Sequence, residues 1–265
     1  MSLKVLDIAA AEVGYLEKKS NASLDLKTAN AGSNNYTKYA RDLDKLSVYN
    51  GKKQGLAYCD IFVDWCFIKA YGLENGLKLL CQPKGGAGAG CTFSARYYQN
   101  KGQFHKKNPK PGDQIFFSKD GGKTCYHTGL VEKVANGNVY TIEGNTSGRS
   151  GVIANGNGVF RKSYSLAYPR IAGYGRPDYS KIDPDNYTIV QKRFGFADET
   201  MKYLTSYKYG ASLLQKLATV TTPPPSGTNR KYIVQKRFDF ADETIEYLAN
   251  YRYGHSLLTR LATTK

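Results

Sequence analysis

The chain has 265 residues, of which 41% are hydrophobic and 23% are charged. These values are typical of folded globular proteins and exclude a disordered chain or a coiled coil, and the length predicts one or two domains. No apolar run approaches the roughly 18 residues that a membrane span needs. Asp7 and Glu12 interrupt the apolar pieces of the N-terminal segment, so we predict an amphipathic helix there and no secretory signal peptide.

Positive charge is the first functional indication. Lys and Arg number 38 against 22 Asp and Glu, which gives a net charge of +16. Residues 1–180 carry 25 basic and 14 acidic side chains, and residues 181–265 carry 13 and 8, so both parts are basic. This balance suits a polyanionic partner such as nucleic acid, an anionic membrane or a bacterial cell wall, although a spread positive charge also simply confers solubility.

The cysteines are odd in number, so they cannot all pair, and a chain of this length does not need a disulfide framework. None of them has CxxC spacing and there are only three histidines, which argues against a structural zinc site. We therefore expect free thiols in a reducing compartment, with at least one available for chemistry. The five are Cys59, Cys66, Cys81, Cys91 and Cys125.

An internal repeat occupies the C-terminal part of the chain. Residues 189–219 and 233–263 are identical at 22 of 31 positions with an offset of 44, which indicates a duplication. A stiff Pro-rich spacer separates the copies, and a second linker, Lys181–Asp185, precedes them. We predict a first domain over residues 1–180 and two helical repeats over residues 187–219 and 231–265. The Pro-rich linker between the repeats covers residues 220–230.

Each repeat has the spacing of short helices, with Asp198 and Asp242 as predicted N-caps and Gly210 and Gly254 at turn points. A unit of about 32 residues is smaller than most that fold alone, so the copies either pack on each other or are unusually compact. Their aromatic side chains form the core of this small unit or, where exposed beside basic residues, a stacking surface for sugar rings or bases. The candidates for a cell-wall-binding surface are Phe194, Tyr203, Tyr207, Tyr209, Phe238, Tyr247, Tyr251 and Tyr253.

The first 180 residues change character midway. Residues 1–100 have helical patterns with loops rich in Gly, Asn and Ser, whereas residues 111–176 have the patterns of strands. Helices followed by strands predict an α+β domain in which N-terminal helices pack on an antiparallel sheet. The predicted strands are Gln114–Ser118, Thr128–Val134, Val139–Glu143, Gly158–Ser163 and Ile171–Gly175.

Cys59 is the candidate nucleophile. It precedes an apolar stretch at helical spacing, which places it in the first turn of a buried helix, where unpaired backbone N–H groups favour the thiolate. A buried structural cysteine is the alternative interpretation of this residue alone. Cys66 falls on the core face of the same helix and is expected to be inert.

His127 is the candidate base. It heads a predicted strand, whereas His105 lies in a Lys-rich loop and His255 is replaced by Ala211 in the first repeat. The chain order of cysteine, histidine and then a polar orienting residue is that of papain-like enzymes, in which a helix-borne thiol meets a sheet-borne imidazole.

The register of the hairpin after His127 decides which polar residues share its face. A three-residue loop, Ala135–Gly137, pairs His127 with Asn145 and puts Glu143 one diagonal away on the same face. A two-residue Asn136–Gly137 turn would flip the parity and remove both residues from that face. A Cys–His–carboxylate site therefore predicts an odd loop or a bulge in this hairpin.

Four ordered segments carry a resemblance to a known family: Tyr58–Cys66, Pro111–Phe117, His127–Val131 and Ile142–Asn145. They resemble the CHAP domain, a family of cysteine amidases and peptidases of peptidoglycan related to the NlpC-type hydrolases. The resemblance covers about residues 1–178 and is closest to endolysins of phages and prophages of Clostridia-like Gram-positive bacteria. The repeats loosely resemble the short helical cell-wall-binding repeats of other lysins.

The resemblance implies a papain-like fold and a role for each candidate. Cys59 would be the nucleophile, and His127 would deprotonate it and later protonate the leaving amine. Glu143 would orient the imidazole and Asn145 would complete the polar cluster. Amide cleavage would pass through a thioester, with the Cys59 backbone N–H contributing to an oxyanion hole. No cofactor is expected, and although some CHAP domains bind Ca²⁺ through an Asp-rich loop, residues 50–55 carry lysines there.

The leading hypothesis is an endolysin, either an N-acetylmuramoyl-L-alanine amidase or a peptidoglycan endopeptidase, made in the host cytoplasm and acting at the wall after release. Its partners would be peptidoglycan and the associated wall polymers, bound with avidity by two repeats. Two alternatives stay open: a nucleic-acid-binding protein and an oligomer formed through the repeats, neither of which needs hydrolase activity. The sequence has no recognised nucleic-acid motif and no dense basic stripe, which argues against nucleic acid as the partner.

Overall fold

The computed structural model describes residues 3–181 and 186–264 and divides the chain into two units, Met1–Ile182 and Asp183–Lys265. Almost all of the predicted linker Lys181–Asp185 lies outside the described residues. Within the described ranges, no helix has the length and apolarity that crossing a membrane requires.

Helices precede the sheet in the first unit, as the sequence predicts. The central helix, α3, is buried on nearly every face, which explains why its sequence is apolar all round, and it ends at Gly72 with a positive φ of 80°. Thr37 caps α2 by accepting a hydrogen bond from the backbone N–H of Ala40. The helices are α1 (Lys4–Ala11), α2 (Lys38–Lys45), α3 (Cys59–Tyr71), α4 (Leu73–Leu79) and α5 (Cys91–Asn100).

The sheet is antiparallel throughout and has the strand order β1-β6-β2-β3-β4-β5 among the described residues. The prediction of an α+β fold with an antiparallel sheet is confirmed. Only β1 was not predicted, because two residues are too short to show an alternating pattern. The strands are β1 (Phe104–His105), β2 (Gln114–Phe117), β3 (His127–Ala135), β4 (Asn138–Thr146), β5 (Gly158–Ser165) and β6 (Ile171–Gly175).

Helix α3 lies against β3 and β4, and this packing fixes where the candidate site forms. Phe62 of α3 shares the main core with Leu130 and Ile142, which face each other across the two strands. A Cβ at Gly144 would come within 2.6 Å of Phe62 Cβ, so glycine permits this close approach. The first residue of α3 and the first residue of β3 are thereby held at the same end of the packed layers.

The second unit is helical, and each repeat contributes three helices. Side chains from both repeats form a single hydrophobic cluster, so the copies pack on each other. The prediction of Asp198 and Asp242 as N-caps is wrong, because Ala197 and Ala241 hold the cap positions and the two carboxylates accept hydrogen bonds from glutamine side chains. The helices are α6 (Asn186–Phe194), α7 (Asp198–Ser206), α8 (Gly210–Thr219), α9 (Arg230–Phe238), α10 (Asp242–Ala249) and α11 (Gly254–Thr263).

Candidate active site

Cys59 is the first residue of α3 and is 5% exposed. The unpaired N–H groups of the first helical turn favour a negative charge at this position. The pKa of the thiol is held well below its usual range, first by a hydrogen bond from Cys91 and, against the opposing effect of burial, by His127 and the backbone N–H of Asp60. The surroundings of this side chain therefore favour the thiolate.

His127 is the first residue of β3, and its side chain is fully buried beside that of Glu143. Nε2 of the ring lies 2.9 Å from Oε2 of Glu143, so Nε2 is the donor nitrogen and Nδ1 is left to exchange a proton with Cys59. Burial alone would lower the pKa of His127, but the neighbouring Cys59 and the hydrogen bond with Glu143 outweigh it and raise the pKa to about 10. The arrangement favours a thiolate–imidazolium pair.

Two residues that the sequence analysis missed hold the Glu143 carboxylate. Thr141 Oγ1 donates to Oε1 over 2.5 Å, and the Tyr164 hydroxyl donates to Oε2 over 3.2 Å. Phe117 stacks on the His127 ring with centroids 5.9 Å apart. Thr141 was in principle detectable, since it lies two residues before Glu143 on the same face of β4.

The β3–β4 hairpin combines a two-residue turn with a bulge. Ala135 pairs with Asn138, so the turn is Asn136–Gly137, and of the two predicted alternatives, an odd loop or a bulge, the hairpin has the bulge. The register shifts at Glu132. On the side of the bulge away from the turn, Leu130 lies opposite Ile142, which is the pairing that a three-residue loop would give. The bulge corrects the parity, and Glu143 reaches the face of His127.

Asn145 is fully buried with a left-handed backbone, φ 54°, and its side-chain amide makes no hydrogen bond with any described residue. The structure therefore does not join Asn145 to the His127–Glu143 pair. In a regular strand, side chains alternate between the two faces, and this would have put the Asn145 amide on the face of His127. The left-handed backbone at Asn145 breaks this alternation. Its backbone instead lies beside the hydroxyl of Tyr58, the N-cap residue of α3.

Asp60, the residue after the nucleophile, was also missed. Its buried carboxylate accepts from Ser94 Oγ over 2.7 Å and from Gln114 Nε2 over 2.9 Å, which connects the start of α3 to α5 and β2. Burial raises its pKa to about 7, and the negative charge of Cys59 adds to the shift. Asp60 therefore helps to fix the position of the nucleophile.

Cys91 brings a second thiol to the site. It is the first residue of α5, and its Sγ lies 3.5 Å from Sγ of Cys59. The next residue, Thr92, exchanges hydrogen bonds with the backbone of Cys125, which fixes the start of α5 to the segment leading into β3. Two helix starts and one strand start thus converge on the Cys59 sulfur. All five cysteines are free thiols.

The aromatic residues of the repeats are mostly not surface residues, which corrects the predicted binding surface. Tyr203 and Tyr247 are partly buried in the contact between the repeats. Tyr209 and Tyr253 remain exposed, at 55% and 51%. The small units need apolar contacts to be stable, and packing takes up most of the rings. Those buried in the shared core are Phe194, Phe238, Tyr207 and Tyr251.

No group of three or more His, Cys, Asp or Glu side chains with the geometry of a metal site occurs among the residues that the structure describes. In the stretch before α3, where the resemblance raised the question of Ca²⁺, the Asp44 carboxylate accepts from the backbone N–H groups of Lys53 and Gln54. These donors occupy both of its oxygens.

One known family is similar to part of the first unit. Residues 49–145 match the family described as the CHAP domain, and Cys59, His127, Glu143 and Asn145 all lie inside the match. No curated protein and no solved structure matches the chain.

Domains of this family are typically cysteine- and histidine-dependent amidases or peptidases. The match begins ten residues before the nucleophile and ends at Asn145, so it contains Cys59, Cys91, His127 and Glu143 but not Tyr164. The repeats lie outside it.

Proposed function

We propose that the protein is an endolysin that hydrolyses an amide bond of peptidoglycan with Cys59 as nucleophile and His127 as base. The observation that carries this proposal is the buried 2.9 Å hydrogen bond between His127 Nε2 and Glu143, which leaves Nδ1 for the thiol at the start of α3. This arrangement has the order and roles of a cysteine protease triad. Catalysis would belong to residues 1–180.

In the first half of the reaction, His127 Nδ1 holds the proton of Cys59 and the thiolate attacks the carbonyl carbon of the substrate amide. The C=O electrons move to oxygen, and the backbone N–H of Cys59 at the helix start is placed to stabilise that oxyanion. When the C–N bond breaks, the imidazolium gives its proton to the leaving amine. Glu143 holds the ring in the tautomer that this transfer needs.

In the second half, water attacks the thioester on Cys59. His127, now neutral, takes a proton from the water as its oxygen adds to the carbonyl carbon, and the C–S bond then breaks, so that the carboxylic acid leaves and the thiolate–imidazolium pair is restored. Each proton thus passes through Nδ1 of one imidazole, and no other group of the site has to change its protonation state.

The helical unit would bind the wall, with repeats over residues 187–219 and 231–265 joined by the linker 220–230. The exposed rings of Tyr209 and Tyr253 support this role, since each lies under a cation, Lys208 at 5.0 Å and Arg252 at 4.6 Å from the ring centroid. Ring faces combined with positive charge suit sugars and anionic wall polymers. The net positive charge of residues 181–265 agrees with such a partner.

The products of digestion test the proposed reaction. Purified Gram-positive peptidoglycan is treated with the full chain, and the soluble fragments are analysed by mass spectrometry and by labelling of new amino groups and new reducing sugars. We expect new amino groups, with fragment masses that distinguish an N-acetylmuramoyl-L-alanine amidase from a cross-bridge endopeptidase. New reducing sugars without new amino groups would contradict amide hydrolysis.

A further inference from the structure

The contact between the two repeats is reciprocal. Tyr203 and Tyr247 are equivalent residues of the two copies, and each hydroxyl donates to the backbone oxygen of the other over 2.6 Å. Their rings stack with centroids 4.4 Å apart. Tyr251 stacks on the outer face of Tyr203 at 4.3 Å, and its equivalent Tyr207 stacks on Tyr247 at 4.2 Å. The four rings form a column that is symmetric about its centre.

The polar contacts around the column repeat the same symmetry. Lys208 of the first repeat pairs with Glu243 of the second, and Arg252 of the second pairs with Glu199 of the first. These are the same two positions with the repeats exchanged. The contact between Thr200 and Tyr251 has its counterpart in that between Thr244 and Tyr207.

Such reciprocity is the defining property of an isologous interface, in which one patch recognises a copy of itself. We propose that the face carrying the tyrosine column is a self-complementary association surface whose partner is any second copy of the repeat, in the same chain or in another. The linker keeps the two copies of one chain at an effective concentration near the millimolar range, which favours intrachain pairing in the native protein.

Charge reversal in one repeat tests this surface in the full chain. The variant Glu199→Lys with Lys208→Glu places like charges opposite Arg252 and Glu243 within one chain. In a dimer, the altered first repeat of one chain can pair with the altered first repeat of the other, and the charges are then complementary. The native second repeats of the two chains can pair in the same way. We expect this variant to form a dimer at high chain concentration in sedimentation experiments, whereas the native chain stays monomeric.

The matched control adds Glu243→Lys and Arg252→Glu. With both repeats reversed, the intrachain charges are complementary again, and we expect a monomer. Persistence of a monomer in the single-repeat variant near millimolar concentration would overturn the proposal, and so would an equal tendency of both variants to dimerise, since that would reflect unspecific association.

The 3.5 Å contact between Cys59 and Cys91 carries a second, independent inference. We infer that Cys91 is a positioning residue that donates its S–H to the Cys59 thiolate. This inference rests on the proposed nucleophile. Both thiols stand at helix starts. The titratable groups near them are the buried His127, Asp60 and Asp64 and the partly buried Cys125.

Only the first of these four groups favours a charge on Cys59. Asp60 and Asp64 oppose it when ionised, because they lie on the same helix and are buried with it. Burial and the neighbouring Cys59 raise the pKa of Cys91 well above its usual range, which keeps its proton available for donation. The weak S–H donor therefore offsets nearby negative charge in a buried site.

The pH dependence of Cys59 alkylation tests this role without requiring any hydrolysis. Iodoacetamide labelling of the full chain is followed at Cys59 by peptide mass spectrometry. We expect Cys91→Ala to move the labelling profile to higher pH by about one unit or more, because a bond to the charged form is lost. Cys91→Ser, which keeps a donor, should restore most of the shift, and Cys81→Ser serves as a control that leaves it unchanged.

An unshifted profile in Cys91→Ala would overturn the inference. Equal shifts in the alanine and serine variants would also overturn it, since loss of packing rather than loss of the donor would then be responsible. Failure of the proposed wall hydrolysis would instead appear as intact labelling behaviour with no peptidoglycan products.

Discussion

At the scale of single residues, the protonation states of Cys59 and His127 determine what the site can do. The Cys59 thiolate and the His127 imidazolium each stabilise the other's charge, and Glu143 favours the charged imidazole from the opposite nitrogen. The ion pair exists above the pKa of Cys59 and below that of His127, which is about 10. The domain should therefore be active over a broad range around neutral pH, with an alkaline limit set by the imidazolium.

Replacing Glu143 by glutamine should narrow that range. The variant keeps the shape of the side chain but loses the charge that raises the pKa of His127, so the alkaline limb of kcat/KM should move down by about 1–3 pH units. Activity at neutral pH should fall by a factor on the order of 10²–10⁴ as proton transfer weakens. The pH–rate profile on a soluble peptidoglycan fragment measures both effects, and an unmoved alkaline limb would show that Glu143 does not set the imidazole pKa.

The sequence predicts the residues of this site better than it predicts their supports. Cys59, His127 and Glu143 were recognisable because their residue types and chain order belong to one chemistry. Asp60 and Cys91 were not, because their roles depend on contacts between elements that no local pattern reveals. Asn145 was placed in the site by regular strand pairing, and the left-handed backbone at that residue breaks that assumption.

At the scale of elements, two small residues let the layers approach. Gly129 of β3 has Glu143 Cγ only 2.5 Å from where a Cβ would lie, so its missing side chain makes room for the carboxylate that reaches His127. Gly144 does the same for Phe62 of α3. Glycine at these two positions therefore leaves the space that Glu143 and Phe62 occupy.

Introducing a methyl group at Gly129 should displace the Glu143 carboxylate. Overpacking of this kind costs about 1–3 kcal/mol, so we expect Gly129→Ala to lower Tm modestly and to lower kcat more strongly. Gly51→Ala is the matched control, since a Cβ there has no atom within 4 Å. Thermal unfolding and peptidoglycan turnover of both variants separate the effects, and full activity in Gly129→Ala would contradict the proposed positioning of Glu143.

The β3–β4 hairpin shows why registers are hard to read from a sequence. Asn136–Gly137 has the signature of a two-residue turn, which alone would have moved Glu143 off the face of His127. The bulge at Glu132 leaves no trace in the sequence, since no residue type requires it. An irregularity in this hairpin was predicted only because the proposed chemistry requires His127 and Glu143 to lie on the same face of the sheet.

At the scale of the whole molecule, each unit has a hydrophobic core of its own. The duplication was evident from the sequence, but whether the copies pack on each other was left open, because 22 shared identities do not show which residues face the other copy. The reciprocal tyrosine contacts answer that question in terms of packing, and they account for four of the eight aromatic residues that were first assigned to a binding surface.

Separate cores predict separable activities. A chain that ends before residue 183 should keep hydrolysis of a small soluble fragment within about a factor of 2–3, whereas its binding to intact cell walls should fall much more steeply as the attachment provided by the helical unit is lost. Wall pull-down and soluble-substrate turnover of the shortened and full chains measure the two losses. Equal loss of both would contradict a division of labour between the units.

The central claim is that the Cys59 sulfur performs the hydrolysis, and one comparison tests it most directly. Native protein, Cys59→Ala and Cys59→Ser, each verified as folded by circular dichroism, are incubated with the same purified peptidoglycan, and soluble fragments are quantified. The account predicts release by the native protein and a loss of at least about 10³-fold in both variants, since neither retains a nucleophile of comparable strength. Fragment release by folded Cys59→Ala at the native rate would contradict it.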